Sequence, residues 1–263
     1  MFKYLLIFLL ITTSCFAGVD FDGVDDFINV SDSASLDVTS AISISIWFYT
    51  NTVSVREAPL NKYDTASERA YAININETNN GDIVAYLGYS NGDSYKKASS
   101  VGSTISISTW HHIVITWGKA VDSGKIKIFV DGSEVSYIKQ ESLTEDLSNV
   151  AEDIFIGKAY GSQRYFDGPL NELAIWNNDL TETEITMLSK SEKKGTPLHI
   201  KSANLIVYLP LDDVAYGTSA DGTTFVDRSG TGNDGTGVDG ANDSGLTGAG
   251  EEILTSPPNP NFQ

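Results

Sequence analysis

The chain has 263 residues, of which 41% are hydrophobic, with 11 Phe and 12 Tyr among them, and a net charge of -18 from 17 basic against 35 acidic side chains. Enough apolar material is present to bury a core, which excludes a disordered tail. The acidic surplus repels phosphate backbones and acidic lipid surfaces, so nucleic acid is excluded as a partner. It suits either a calcium-using protein or a merely well-solvated surface.

Residues 1–17 read as an export signal. Lys3 is followed by an apolar run over residues 4–11 and by the small residues Cys15 and Ala17 at minus three and minus one, with cleavage expected after Ala17. That run is too short to cross a bilayer, so no membrane span is expected. The rival reading makes Cys15 a lipidated cysteine, but Thr12 fits that motif poorly and no flexible tether follows. Cys15 is the only cysteine, so a secreted or extracytoplasmic product lacks disulfides and depends on its core or on a metal.

From residue 27 to residue 176 the pattern has period two, cut by Gly, Asn, Asp and Ser clusters, which predicts strands. Ile42, Ile44, Ile46 and Phe48 share one face of a run, with Ser43, Ser45, Trp47 and Tyr49 on the other. Further runs are Tyr71-Ile73-Ile75, Ile83-Ala85-Leu87, Ile113-Ile115-Trp117, Ile126-Ile128-Val130, Ile154-Ile156 and Leu173-Ile175. Asn91-Gly92-Asp93 and Asp131-Gly132-Ser133 are hairpin turns, since these residues tolerate positive φ. About a dozen strands at this spacing predict an all-β, two-sheet antiparallel sandwich. One helix is expected after them, opened by the capping box of Thr181 and Glu184 and carrying Ile185 and Leu188 on its apolar stripe. Residues 18–194 thus form the sandwich. Residues 195–263 form a segment rich in Gly and Asp, with a strand over 203–209 and an extended tail at Pro257, Pro258 and Pro260.

Several segments together resemble the laminin-G-like, concanavalin A-like lectin and glucanase superfamily. Phe21-Asp22-Gly23-Val24-Asp25-Asp26-Phe27 resembles its opening strand and Ser43-Ile44-Ser45-Ile46-Trp47-Phe48 its second. Trp110-His111-His112-Ile113-Val114-Ile115-Thr116 and Lys127-Ile128-Phe129-Val130-Asp131-Gly132 resemble the central hairpin. The stretch from Tyr165-Phe166-Asp167-Gly168 through Leu173-Ala174-Ile175-Trp176 resembles the closing strand. The resemblance covers residues 19–190 and implies a jelly-roll sandwich. Tyr208-Leu209-Pro210-Leu211-Asp212, Asp227-Arg228-Ser229-Gly230 and Gly232-Asn233-Asp234-Gly235 resemble the segment that usually precedes the opening strand. Their place at the end implies either a circular permutation, in which residues 203–240 dock beside the first strand, or the remnant of a second repeat.

First and last strands neighbour each other in this fold, which would gather Asp22, Asp25, Asp167 and Asn171 at one rim as calcium ligands. The family usually has Asp where this chain has Asn171, and the Asp-Gly pairs also read as plain turns. A lower-ranked acidic loop, Asp227 with Asn233 and Asp234, lacks the alternating calcium-hand pattern. Tyr89, Asn91, Asp93 and Tyr95 at a hairpin tip offer aromatic faces and polar groups to a sugar, though cross-strand pairing explains them as well. His111 and His112 face opposite sides of a strand, which argues against a shared zinc, and the four Trp read as core packing. Glycosidases on this fold carry Glu-x-Asp-x-Glu on one strand, and the chain has no Glu-x-Asp. The expectation is a non-catalytic lectin-like module that binds a glycan or glycoprotein surface with calcium. The alternatives are a structural or adhesive protein-binding module and a glycoside hydrolase.

Overall fold

The computed structural model describes residues 18–53, 55–63, 68–77, 81–159, 164–190, 196–238 and 246–248. The export signal and Cys15 at residues 1–17, and the tail from residue 249, lie outside the described residues. In chain order the strands are β1 (Val19–Asp22), β2 (Phe27–Val30), β3 (Ala41–Tyr49), β4 (Glu57–Tyr63), β5 (Arg69–Ile75) and β6 (Ile83–Tyr89). They continue with β7 (Ser94–Ser100), β8 (Trp110–Gly118), β9 (Lys127–Val130), β10 (Ser133–Glu134), β11 (Tyr137–Gln140) and β12 (Ile154–Ile156). The remainder are β13 (Asp167–Trp176), β14 (Leu205–Leu209), β15 (Thr224–Phe225), β16 (Gly235–Val238) and β17 (Thr247–Gly248), and helix α1 spans Glu182–Ser189.

The strands form two antiparallel sheets. The first runs β10-β9-β8-β3-β13-β1-β17, with β14 also on β13, and the second runs β11-β7-β6-β5-β4-β12-β2-β16-β15. Together they make a jelly-roll sandwich. Alternation builds its interior: Ile42, Ile44 and Ile46 stand opposite Trp117, Ile115 and Ile113 across the β3–β8 pair. All six belong to one core cluster with Tyr71, Ile73, Ile83, Leu87, Ile128 and Ile156. Each such side chain taken out of water contributes about 1.5–3 kcal/mol.

The face of β3 that carries serines is not left to solvent. Helix α1 covers it, with Ile185 and Leu188 packed on Val114, Ala174, Trp176 and Tyr208. Ser43 Oγ and Thr116 Oγ1 lie 2.8 Å apart and meet the Leu180 N–H at 2.9 and 3.2 Å. The capping box fixes the helix start, because Thr181 Oγ1 accepts from the Glu184 N–H while Glu184 Oε2 accepts from the Thr181 N–H. The four Trp divide. Trp117 lies in the inter-sheet core and Trp176 under α1, whereas Trp47 and Trp110 form a separate cluster with Tyr49 on the outer side of the first sheet.

The β13 strand is shared end to end. Its residues Asp167 to Leu170 pair with β1 and its residues Leu173 to Trp176 pair with β14, the two stretches separated by a bulge at Asn171 and Glu172, where Glu172 has φ 51°. In the second sheet β16 lies beside β2, with Gly235 opposite Val30 and Val238 opposite Phe27. Strands of the C-terminal segment therefore lie in both sheets beside the opening strands.

Candidate functional site

Strand β1 ends at Asp22, which faces Asp167 across the β1–β13 pair, and the turn over 22–26 then carries the chain to β2 in the other sheet. Gly23 is required there twice over: its φ is +78°, and a Cβ would stand 2.9 Å from Asp167 Cβ. The turn is tied from within. Asp22 Oδ1 accepts from the Val24 N–H at 2.7 Å, and the buried Asp26 accepts through Oδ2 from the Asp22 N–H at 3.0 Å. The result is a group of three carboxylates, Asp22, Asp25 and Asp26, whose potential ligand oxygens all lie within 4.8 Å of one another. Two oxygens bound to one calcium ion at 2.3–2.6 Å are at most about 5 Å apart, so this donor set fits a hard divalent cation.

Asp167 stands across the strand pair from this group, its Oδ1 accepting from Asn51 Nδ2 at 2.9 Å while its carbonyl accepts from the Asn51 N–H. The structure places Asn171 elsewhere, and this corrects its assignment as a rim ligand. It lies four residues up β13, about 13 Å from Asp167 at strand rise, beyond the last paired position of β1. There it is fully buried, and neither of its amide atoms has a hydrogen-bond partner. Asp26 takes its place in the carboxylate group. The doublet Asp25-Asp26 in the sequence was the available signal, but a tight turn that points both carboxylates at Asp22 is not visible in spacing alone.

Two further carboxylates at this end were missed. Asp20 is pushed up to about 6, by burial first and then by the charges of Asp167 and Asp22. Glu57, at the start of β4, is pushed up to about 8 by burial, which outweighs the Thr50 hydroxyl and Asp167 N–H that donate to it. Among the described residues no ion pair engages Asp20, Asp22, Asp25 or Asp167. The crowd of negative charge is therefore not balanced by a lysine or arginine of those pairs.

The second acidic loop does different work. Asp227 accepts from the N–H groups of Tyr208, Ser229 and Asn233 and from the hydroxyls of Ser229 and Thr231, all at 2.8 to 2.9 Å. These bonds hold its carboxyl below the usual range against the effect of burial, and they occupy the lone pairs a metal would need. Asn233 turns inward to the Ile206 carbonyl. The two histidines do separate: His111 Nδ1 meets Asp131 at 2.8 Å, whereas His112 Nε2 meets Ser45 Oγ at 2.8 Å. Burial pushes His112 down to about 4 against the opposing charge of Asp131.

At the β6–β7 hairpin the register sets Gly88 opposite Tyr95 and Tyr89 opposite Ser94. Tyr89 accordingly shares the core side with Leu87 and packs against the interior, while Tyr95 shares the outer side with Tyr86 at 5.1 Å. Asn91, with φ 57°, shapes the exposed turn next to Asp93. Tyr89, Asn91, Asp93 and Tyr95 thus do not line one surface, and this corrects the hairpin-tip reading. Sequence spacing missed that Tyr95 lies beneath Arg69 instead, the guanidinium carbon 5.1 Å from the ring centre.

Comparison with known proteins adds the following. The family model described as the concanavalin A-like lectin/glucanases superfamily, of laminin G type, matches residues 22–186. A search of curated proteins returns no match. A Bacteroides ovatus protein provisionally assigned to carbohydrate binding is similar in structure with a TM-score of 0.64 at 17% identity, over 92% of this chain and 61% of that one. The chain thus spans about three fifths of that neighbour's length. Domains LG4-5 of the mouse laminin alpha1 chain give 0.48 at 16% identity, over 61% of this chain and 41% of theirs. The carbohydrate-binding module CBM40 of the Ruminococcus gnavus IT-sialidase, bound to alpha2,3 sialyllactose, gives 0.49 at 14% identity, over 65% and 96%.

Proposed function

Because the chain belongs to the concanavalin A-like lectin/glucanases superfamily, we propose that it is an exported, non-catalytic module that binds carbohydrate at a rim where the turn over 22–26 holds calcium. The observation that carries this reading is the convergence of Asp22, Asp25 and Asp26 within 4.8 Å. The carboxyl of Asp20, raised first by burial and then by the charges of Asp167 and Asp22, supports it, since a divalent cation relieves the repulsive part. The carbohydrate-binding assignment of the Bacteroides ovatus neighbour supports the same reading.

The carboxylates of Asp22, Asp25 and Asp26 would hold the ion, which supplies positive charge and open coordination positions for ligand oxygens. The chain's own residues prepare the site. Asp26 pins the Asp22 backbone, Gly23 lets the turn close on Asp167, and Asn51 fixes the Asp167 carboxylate. A rim ordered in advance loses less entropy when a weak sugar ligand docks. The buried glutamates do not make a hydrolytic pair. Glu57 is 1% exposed, out of a substrate's reach, and Glu172 is buried against the Tyr208 hydroxyl at 2.8 Å.

A glycan screen of the full chain with calcium and with chelator tests the reading. Retention that disappears with chelator, and in Asp25→Asn, is the expected result. Absence of binding in both states from a folded protein would reject it in favour of a protein-binding, adhesive role.

A further inference from the structure

The chain has four arginines, and three of them, Arg56, Arg69 and Arg164, act electrostatically on one hydroxyl, that of Tyr63 on the second sheet. In a molecule of charge -18 such a concentration asks for an explanation. Geometry supplies one on the outer side of β5, β6 and β7. Gly88 lacks a Cβ that would stand 2.0 Å from the Arg69 carbonyl, so the start of β5 lies directly over it and Arg69 reaches across to Tyr95. Tyr95 is 42% exposed and meets Tyr86 edge to face. Lys97 stands opposite Tyr86 in register, with Nζ 5.5 Å above its ring.

One carboxylate organises this patch. Glu77 pairs with Arg56 at 3.1 Å and with Lys97 at 3.7 Å, and it accepts the Tyr86 hydroxyl. Among the described residues, Arg56 and Lys97 thus gather at Glu77 and Arg69 at Tyr95, with exposed Glu68 and Asp93 flanking in sequence. Hydrogen-bonding capacity is also left over. Arg56 Nε is buried with no acceptor. Guanidinium forks take carboxylate or sulfate oxygens, and an exposed tyrosine ring takes the apolar face of a pyranose. Arg164 stands three residues before Asp167, which pairs with Asp22.

We propose that this face is a subsite for an acidic saccharide, with Arg69 and Arg56 on its carboxylate or sulfate group and Tyr95 stacked on its ring. The inference rests on the carbohydrate-binding reading above and deepens it by naming the ligand class. Its test is retention of the full chain on alginate, heparin, neutral dextran and polyglutamate at ~0.15 M and ~0.5 M salt, where exposed charges are screened to different degrees. Arg69→Gln and Tyr95→Ala are run beside the parent, each first checked for an unchanged melting temperature.

Retention on alginate or heparin above that on dextran and polyglutamate, weakened about tenfold by either substitution, is the expected result, a single hydrogen-bonded anchor contributing on that order. Preference for alginate assigns a carboxylate, and preference for heparin a sulfate. Equal retention on polyglutamate marks ion exchange alone and overturns the proposal, as does binding untouched by Arg69→Gln. Calcium-dependent binding to dextran only would overturn this inference and leave the function standing, whereas no polysaccharide binding at all removes both.

Discussion

Glu57 shows how a single side chain can carry a cost that the fold tolerates. It accepts two hydrogen bonds, yet burial still raises its carboxyl to about 8 from an ordinary 4.5. The folded state therefore holds a proton that the unfolded state releases between those values. Stability contributed by this group is fully present below pH 4.5 and declines as pH rises through 8. Gln is neutral throughout and keeps a carbonyl acceptor, so Glu57→Gln should flatten the pH profile in that window. Its melting temperature should exceed the parent's at pH 8 and match it near pH 4.5. Thermal melts across pH 4 to 9 decide the matter, and parallel profiles for the two proteins would show that Glu57 is ionised at little cost. His112 runs the opposite way: its lowered value, about 4, means stability lost as pH falls from 6.5, so the two groups separate by the direction of their slopes.

At the scale of elements, the C-terminal segment is held by one carboxylate. Asp227 gathers donors from Tyr208 on β14 and from the loop that leads into β16, and so ties a strand of the first sheet to a strand of the second. Asp227→Ala strands these donors and should cost about 3 kcal/mol, since bonds to a charged group contribute more than neutral ones. For a domain of this size that is a fall of roughly 6–12 °C in melting temperature, read by circular dichroism; an unchanged melt would show that the segment adds nothing to the fold. The lesson about legibility also lies here. The interior of β3, β5, β6 and β8 is visible in the sequence because alternating Ile, Leu and Tyr meet a period-two surface, and the cap of α1 is visible because it needs only Thr181 and Glu184. Strand β16 shows no period-two pattern, for the reason that its residues are small, and only the resemblance implied that residues 203–240 dock beside the first strand. A Cβ on Gly235 would stand 2.6 Å from Ile28 Cγ2, and one on Gly237 would stand 2.2 Å from the Ala220 carbonyl, so close approach replaces hydrophobic periodicity. Asn171 and Tyr89 were misplaced for a related cause, since strand register, not residue type, sets which groups meet. The Asp22 and Asp25 part of the rim was legible as an acidic turn; Asp26 depends on the local geometry of that turn, whereas Glu57 and the arginine face depend on contacts distant in sequence.

For the whole molecule, the turn over 22–26 matters because it leaves β1 in one sheet and enters β2 in the other. A cation bound there would fasten both layers, so its affinity would appear as global stability through mass action. At a calcium concentration of about one hundred times Kd the gain is about 2.7 kcal/mol, or roughly 5–10 °C in melting temperature. The charge of -18 complicates the measurement, because any salt screens self-repulsion and raises stability somewhat. Calcium must therefore be compared with sodium at matched ionic strength. The pH dependence supplies a second readout. With Asp20 raised from 3.8 to about 6, metal-free protein should lose stability as pH rises through that window, because the unfolded state gives up its proton first. Saturating calcium favours the ionised carboxylates and should abolish or reverse that slope. Asp25→Asn should remove both the calcium shift and the change of slope while leaving the metal-free melt nearly unaltered, Asp25 being only half-buried. A melting temperature indifferent to millimolar calcium at pH 7, in a protein whose metal-free slope is as described, would show that the acidic turn is a turn and nothing more.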